Sequence, residues 1–348
     1  MATPDSEPFQ APPSMQALQR MLAAGAPDAQ ALDALVADLE RERRVEQAWL
    51  LLRLSRPDPA AWSTCLARIK AIVERGRAQR MHQAQTDPDR VILRLRFELR
   101  TPACVHNPAA LLSLLSAALL GAGLPVALGP EKSLRPDIHL GHPLPPMVEG
   151  RCEWADAALQ EGVGAPAAEL PQRINPHAPP GLRILECVQV PGHASPVAEL
   201  CRRAHWRWAC PASRLEEARR ALDTFLASER FEMEKAGKVA GQKGAKRVDI
   251  RPLLERCRWA EGGLAFETAI APGEAANPRK MLGAILGGEV PAGELVRERV
   301  DLGEDPRLLQ PDKYQPKLHN MYEDAVLLES GGSLRIVEDD DDEPVVLG

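Results

Sequence analysis

Apolar and polar residues alternate from Arg90 to Arg100, with one interruption at Ile92. A period of two over this length is typical of a β-strand with one buried face. The pair Asn107-Pro108 is a helix-start signal, and the apolar run behind it predicts a helix over Ala109–Leu120. Short strands are expected at Val126–Leu128 and Ile138–Leu140, so this stretch predicts a β-α-β-β unit.

Helical spacing of apolar residues predicts a separate unit before this first strand. Its helices are expected over Met15–Ala24, Ala29–Leu54 and Ala60–Gln85. Asp28 is the predicted N-cap of the second helix. Residues 1–13 are rich in proline and are expected to be disordered, so the helical unit is assigned to residues 14–87.

The chain after residue 87 alternates strands and helices twice. Further strands are expected at Arg151–Leu159, Leu182–Val190, His205–Cys210, Leu253–Trp259, Leu264–Ile270 and Leu295–Val300. Further helices are expected at Ala165–Ile174, at Arg214–Leu226 behind the N-cap Ser213, and from the N-cap Asn277 to Leu286. Two β-α-β-β-α-β halves predict an α+β fold in which the ferredoxin-like arrangement occurs twice. The halves are assigned to residues 88–192 and 193–302, and residues 303–348 to a flexible acidic tail.

Charge is distributed unevenly along the chain. The formal net charge is −6, but residues 301–348 alone hold 4 basic and 13 acidic residues. The run Glu338–Glu343 (EDDDDE) is typical of a solvated acidic segment. The body that precedes this tail is therefore mildly basic.

A membrane span is an alternative for part of the first half. Residues 108–128 are mostly apolar and would be long enough to cross a bilayer. Gly121, Gly123 and Pro125 interrupt the helix, however, and no basic collar flanks it. We therefore expect a helix that is buried on several faces and no membrane partner.

Four segments carry a family resemblance: GLPVA (123–127), RPDIHLGHPLP (135–145), NPHAPPGLRILE (175–186) and DIRP (249–252). They resemble the bacterial radical-SAM-linked proteins, a domain family of unknown function whose members are found beside, or fused to, a radical-SAM protein. The apolar framework of the family pattern matches Leu111, Leu115, Leu119, Gly123, Leu124, Pro125, Pro136, Ile138, Pro143, Leu144 and Pro145. The polar residues differ: the family's His-Leu-Asp corresponds to Pro108, Ala109 and Ala110, and its Gly-Phe-Asn-Pro-His to Glu131–Arg135. The chain is thus identified as a divergent member.

The resemblance implies a radical-SAM protein as partner. The seven cysteines form no C-x-x-C pair and no C-x-x-x-C-x-x-C run of the kind that holds a radical-SAM cluster. Reduced thiols in a cytoplasmic protein are the simplest interpretation, and the acidic, proline-rich N-terminus does not resemble a signal peptide. We expect no catalytic residue, no cofactor and no metal site in this chain.

The segment Lys235–Arg247 concentrates five cations and three glycines without an acid. Such a glycine-lysine loop suits the binding of phosphate oxygens, although the spacing of a Walker A loop is absent. The predicted RNA-binding or phosphate-binding residues are Lys235, Lys238, Lys243, Lys246 and Arg247. The alternative is a solvated hairpin loop with no ligand.

A second candidate lies on the strand His205–Cys210, where basic residues alternate with Trp206 and Trp208. Arg202, Arg203 and Arg207 could support RNA binding there while the indoles stack on bases. The alternative is that the tryptophans belong to the core and the arginines to the exposed face.

Three smaller sets of residues suggest other kinds of site. Cys104 and the histidines, among them His106, His139, His142, His177 and His193, fit no standard zinc spacing. Asp137 and His139 are expected to form a surface ion pair rather than an acid–base catalyst. The family motif Asp249, Arg251 and Pro252 is expected to hold the lysine loop through an ion pair.

Two main function classes stay open. The first is a non-catalytic, RNA-binding or substrate-presenting partner of a radical-SAM enzyme, with a role in RNA modification or processing. The second is an RNA-modifying or RNA-processing enzyme in its own right, and a third, simpler class is a protein-only scaffold. The first is favoured because the cluster cysteines and the family's His-Asp pair are both missing from the sequence. In this hypothesis the acidic tail competes with RNA for the lysine loop.

Overall fold

The structure is a computed structural model that describes residues 12–25, 29–76, 91–129, 134–239, 242–260, 263–270 and 277–309. Several predictions fall outside these residues: the disordered start before residue 12, the Asp28 cap, the end of the third helix beyond Gly76, and the acidic run Glu338–Glu343.

The N-terminal unit contains four helices: α1 (Pro13–Ala24), α2 (Ala29–Arg41), α3 (Val45–Ser55) and α4 (Pro59–Arg75). The predicted helix Ala29–Leu54 is therefore wrong in one respect, because it divides into α2 and α3. Arg43 adopts a left-handed φ of 56°, and the Arg44 N–H donates to the Leu39 carbonyl at 2.8 Å, which closes α2. The unit docks on the rest of the chain partly through Trp49, whose Nε1 donates to the Leu134 carbonyl at 3.3 Å.

The first half runs β1 (Val91–Leu99), α5 (Pro108–Gly121), β2 (Ile138–Leu140), β3 (Glu149–Leu159), α6 (Leu170–Ile174) and β4 (Leu182–Pro191). Strand β1 and helix α5 are confirmed as predicted, and the Asn107 side chain caps α5 by accepting from the Ala110 N–H at 2.8 Å. The predicted strand Val126–Leu128 contributes isolated bridges only. The polar face of β1 is not wholly exposed, because Arg94 is buried against Asp156.

Helix α5 is buried on more than one face, through Leu111, Leu115, Ser116 and Leu119 among others. Among the described residues, no helix is both long enough and apolar enough to cross a membrane.

The second half runs α7 (Val197–Leu200), β5 (Cys201–Trp208), α8 (Leu215–Ala227), β6 (Glu232–Val239), β7 (Gln242–Asp249), β8 (Leu254–Ala260), β9 (Gly263–Ala269), α9 (Pro278–Leu286), β10 (Leu295–Leu302) and α10 (Pro306–Leu309). Asn277 caps α9 as predicted by accepting from the Arg279 N–H at 3.0 Å. Ser213 does not cap α8; it lies in a short 3-10 turn, and Arg214 occupies the N-cap position without a side-chain bond.

One eight-stranded sheet runs through both predicted halves in the order β4-β1-β3-β10-β5-β9-β8, with β2 paired beside β3. Its neighbours are antiparallel except β3 and β10, which are parallel and join the two halves. The order is β4-β1-β3-β2 within the first half and β10-β5-β9-β8 within the second. The chain therefore has a mixed α/β architecture built on a large mixed sheet.

A buried ion pair lies where the two halves join. Arg297 of β10 is fully buried, donates to both carboxylate oxygens of Glu153 on β3, and donates to the His142 carbonyl at 2.6 Å. Its guanidinium also lies 5.3 Å from the centre of the Trp206 ring. Burial and then the charge of Arg297 lower the pKa of His142 to about 4.

Candidate nucleic-acid interface

The predicted glycine-lysine loop is mostly strand. Strands β6 and β7 form a two-stranded sheet of their own, and the pairing continues from Glu232↔Asp249 to Val239↔Gln242. The prediction of a loop between Lys235 and Arg247 was wrong. Glycine has a low strand propensity, which favoured a loop. In the structure, however, Gly237 and Gly244 pair with each other in a continuous ladder.

The register of this hairpin places four of the predicted cations in two opposed pairs, three positions apart and therefore at positions on opposite faces of the ladder. Lys235 is opposite Lys246, and Lys238 is opposite Lys243, so two lysine pairs follow each other along one ladder. Arg247 is opposite Glu234 in register, is largely exposed, and has its Nη1 3.7 Å from Glu232 Oε2. Like-charged residues directly opposite each other destabilise a ladder, and a bound polyanion relieves that repulsion.

The family motif anchors the base of the hairpin. The Asp249 carboxylate accepts the N–H groups of Phe231 at 3.0 Å and Arg251 at 3.1 Å, and these two bonds lower the pKa of Asp249. The Arg251 guanidinium donates to the Ser228 and Leu226 carbonyls at the end of α8. The pair thus holds the hairpin, but through backbone groups rather than through the predicted ion pair.

Strand β5 places Arg203 and Arg207 on the opposite face of the sheet from its two tryptophans. Trp206 and Trp208 are 2% and 0% exposed, so they belong to the core and cannot stack on a base. The stacking hypothesis was wrong and the core alternative is confirmed. The strand also begins earlier than predicted, at Cys201, because it pairs with β10 along its whole length.

The predicted arginines of β5 are already engaged by neighbouring groups. Arg203 contacts Glu255 and, at 3.4 Å, Glu267. Arg207 Nε donates to Glu298 at 2.8 Å. Arg202 donates to the backbone carbonyls of Glu199 and Cys201. These residues and the hairpin belong to two different sheets, so the structure does not assemble the eight predicted residues along one strand or one ladder.

Four further arginines share the exposed face with Arg203 and Arg207. Arg299 pairs with Asp301 at 2.8 Å, Arg151 lies 3.6 Å from Glu298, and Arg256 lies 3.9 Å from Glu267. Arg258 is exposed and has no ion-pair partner in the part of the chain that the structure describes. We call this set the arginine face: Arg151, Arg203, Arg207, Arg256, Arg258 and Arg299.

Sequence reasoning missed most of the arginine face. The alternation of Arg256 and Arg258 with Cys257 and Trp259 was a signal that could have found two of its members. A third member, Arg299, could not be found from alternation, because β10 has a register shift between Arg297 and Arg299. The extra residue of this bulge places Arg297 in the core and Arg299 on the exposed face.

The other candidates lie apart from these surfaces. His139 Nε2 is 2.8 Å from Asp137 Oδ1, so the two expected partners do meet, but Asp137 is buried rather than at the surface. Within the described ranges, His, Cys, Asp and Glu form no group of three or more that could hold a metal ion. An open groove of about 630 Å³ lies between α2 and α4, and none of the predicted site residues lines it.

A family model described as an uncharacterized protein conserved in bacteria (DUF2344) matches residues 93–279, more than half of the chain. The chain belongs to the DUF2344 family. No curated protein matches it.

The DUF2344 match runs from β1 to the start of α9 and so includes the hairpin, its anchor Asp249–Arg251, and strands β5, β8 and β9. The N-terminal helices precede the match, and β10 follows it. Arg297 and Arg299 therefore lie outside the part of the chain that the DUF2344 model covers.

Proposed function

We propose that this DUF2344 protein is a non-catalytic, RNA-binding accessory partner of a radical-SAM enzyme. The single observation that carries the RNA part is the register of the β6–β7 hairpin. It aligns two lysine pairs and Arg247 on one ladder, without an acidic residue between Lys235 and Arg247. Each phosphate that contacts such a ladder releases counterions, which supplies a sequence-independent affinity.

The fixed base of the hairpin supports the same proposal. Asp249 and Arg251 tie the ends of β6 and β7 to each other and to α8. A ladder held at its base presents its cations at less entropic cost than a free loop, because less chain freedom is lost when the ligand binds.

The strand order supports a proposal about the architecture. We propose that each half is a ferredoxin-like unit, so that the second half repeats the first with the hairpin inserted. Apart from the hairpin, each half has four strands, which are β1 to β4 in the first half and β5, β8, β9 and β10 in the second. In both halves the fourth of these strands pairs with the first, and the third lies between the first and the second. All of these neighbours are antiparallel. That is the arrangement expected for two β-α-β-β-α-β units.

The RNA proposal is tested on the full chain with a fluorescently labelled single-stranded RNA at several salt concentrations. Wild type is expected to bind with a steep loss of affinity as salt rises. Changing Lys235, Lys238, Lys243 and Lys246 to alanine should weaken binding and reduce the log–log salt slope by about 3, at roughly 0.7 for each phosphate contact on a single strand. The variant Lys70→Ala/Lys280→Ala, which changes lysines of α4 and α9, is the control and should match wild type.

Equal, salt-insensitive binding by all three proteins, or no binding at low salt, would overturn the RNA proposal and favour a protein-only scaffold. The partner part is tested by anaerobic co-purification with a radical-SAM protein from the same source. A stable complex is expected. RNA modification by this chain alone, without such a protein, would instead favour an enzyme in its own right.

A further inference from the structure

The arginine face carries an excess of positive charge. Its six arginines share four carboxylate partners, those of Glu255, Glu267, Glu298 and Asp301, so the arginines outnumber their own partners by two. Glu298 is shared by two arginines, and Glu267 by two arginines and His205. An anionic group that approaches this face therefore meets arginines whose own partners do not neutralise them fully.

A small residue, Ala265, lies between two of the exposed arginines on this face. In the ladder, Ala265 lies opposite Arg258 of β8 on one side and opposite Arg207 of β5 on the other. Adjacent strands are about 4.8 Å apart, so the two arginine backbones are about 10 Å apart with only a methyl group between them. Two guanidinium groups at this separation can close on one phosphate from both sides.

Both of these arginines are accessible to a ligand. Arg258 is exposed without an ion-pair partner among the described residues, and the Arg207 side chain is 44% exposed with Glu298 bound at its Nε. Arg151 continues the same row on β3 at the other side of Glu298. The row of Arg258, Arg207 and Arg151 therefore crosses the sheet rather than following one strand.

The aromatic rings of β5, β8 and β9 face away from this row. Trp206, Trp208 and Phe266 are buried, and Trp259 lies against Arg219 of α8, on the helix-covered face. The row thus offers charge without a stacking platform on these strands. Arginine contacts to phosphates position a strand without reading its sequence.

We propose that the arginine face is a second RNA-binding surface, in which Arg207 and Arg258 hold a backbone phosphate over Ala265 and Arg151 takes the next anionic contact. This inference rests on the proposed RNA-binding function and names the mode of recognition: single-stranded RNA bound through phosphates, with little preference for sequence.

The test uses the full chain with homopolymeric U, A and C oligonucleotides at several salt concentrations. Arg207→Ala/Arg258→Ala should weaken the binding of all three by a similar factor and reduce the salt slope by about 1.4, for two lost contacts. Ala265→Leu keeps the charge but adds bulk between the two arginines, so it should also weaken binding. The control is Arg219→Ala, which removes one positive charge from the opposite face of the same region.

The outcomes separate this inference from the proposed function. If wild type binds, the hairpin lysine variant is weak and both sheet-face variants bind like wild type, this inference is wrong and the hairpin remains the RNA site. A preference of more than about tenfold for one homopolymer would also overturn it. Absence of RNA binding by wild type at low salt would overturn both proposals.

Discussion

Removing one partner of the buried Arg297–Glu153 pair should destabilise the junction between the two halves severely. Arg297 is 0% exposed and the Glu153 side chain 5%, so neither charge can be solvated when the other is lost. Two charges about 4 Å apart interact by about 4 kcal/mol at an effective dielectric constant of about 20. Loss of one buried partner typically costs about 3–5 kcal/mol. We expect that cost for Arg297→Met, out of a total stability of roughly 5–15 kcal/mol.

The assay is urea unfolding of Arg297→Met, Glu153→Met and the double variant, read as a double-mutant cycle. The double variant should recover most of the loss, because no unpaired charge remains buried. The matched control is the exposed pair Arg207–Glu298, whose loss should cost about 0–1 kcal/mol. A cost below about 1 kcal/mol for Arg297→Met, or strictly additive single variants, would refute this reasoning.

The remaining predictions concern pH, iron and the tail. The pKa of His142 is about 4 in the folded chain and near its ordinary value of 6.5 in the unfolded chain. As the pH is lowered from 6.5 to 4, protons bind mainly to the unfolded chain, so the free energy of unfolding should fall by on the order of 3 kcal/mol. In a pH series of urea midpoints, His142→Gln should flatten this dependence. Purified anaerobically with iron and sulfide, the chain should bind no stoichiometric [4Fe–4S] cluster; a cluster absorbance band lost in Cys201→Ala or Cys210→Ala would contradict the accessory hypothesis. Truncation after Leu309 removes 10 of the 13 acidic residues beyond position 300 and should tighten RNA binding in the same salt series, whereas unchanged affinity would exclude competition by the tail.

The truncation point follows from contacts that the sequence did not indicate. Asp305 accepts from the Ser195 N–H at 2.9 Å and from its hydroxyl at 2.7 Å, and the Gly303 N–H donates to the Leu200 carbonyl at 2.7 Å. Residues 303–309, assigned to the tail, are thus bonded to the body. The boundaries between the predicted units otherwise stay predictions.

Elements with a strong local signal were predictable from the sequence. Strand β1 follows from its alternation, α5 from Asn107-Pro108 and its apolar run, and α9 from the cap Asn277. Each of these signals is complete within about ten residues. The burial of the two β5 tryptophans was predictable too, because a core position was the alternative to stacking on bases.

Features that depend on distant pairing could not be read from the sequence. The break between α2 and α3 relies on Arg43 adopting a left-handed conformation, for which arginine has no intrinsic preference. The hairpin ladder relies on register rather than on strand propensity. The arginine face combines strands far apart in sequence, and a bulge in β10 reverses the parity that alternation would predict.

Hydrogen–deuterium exchange of the full chain, with and without single-stranded RNA at low salt, tests the central claim most directly. The account predicts slower exchange in β6 and β7, from Glu232 to Asp249, and no such protection in the variant that lacks the four lysines. The helical unit α1–α4 serves as the internal reference and should be unaffected. Exchange in the hairpin that is identical with and without saturating RNA would contradict the claim that this ladder is the RNA-binding element.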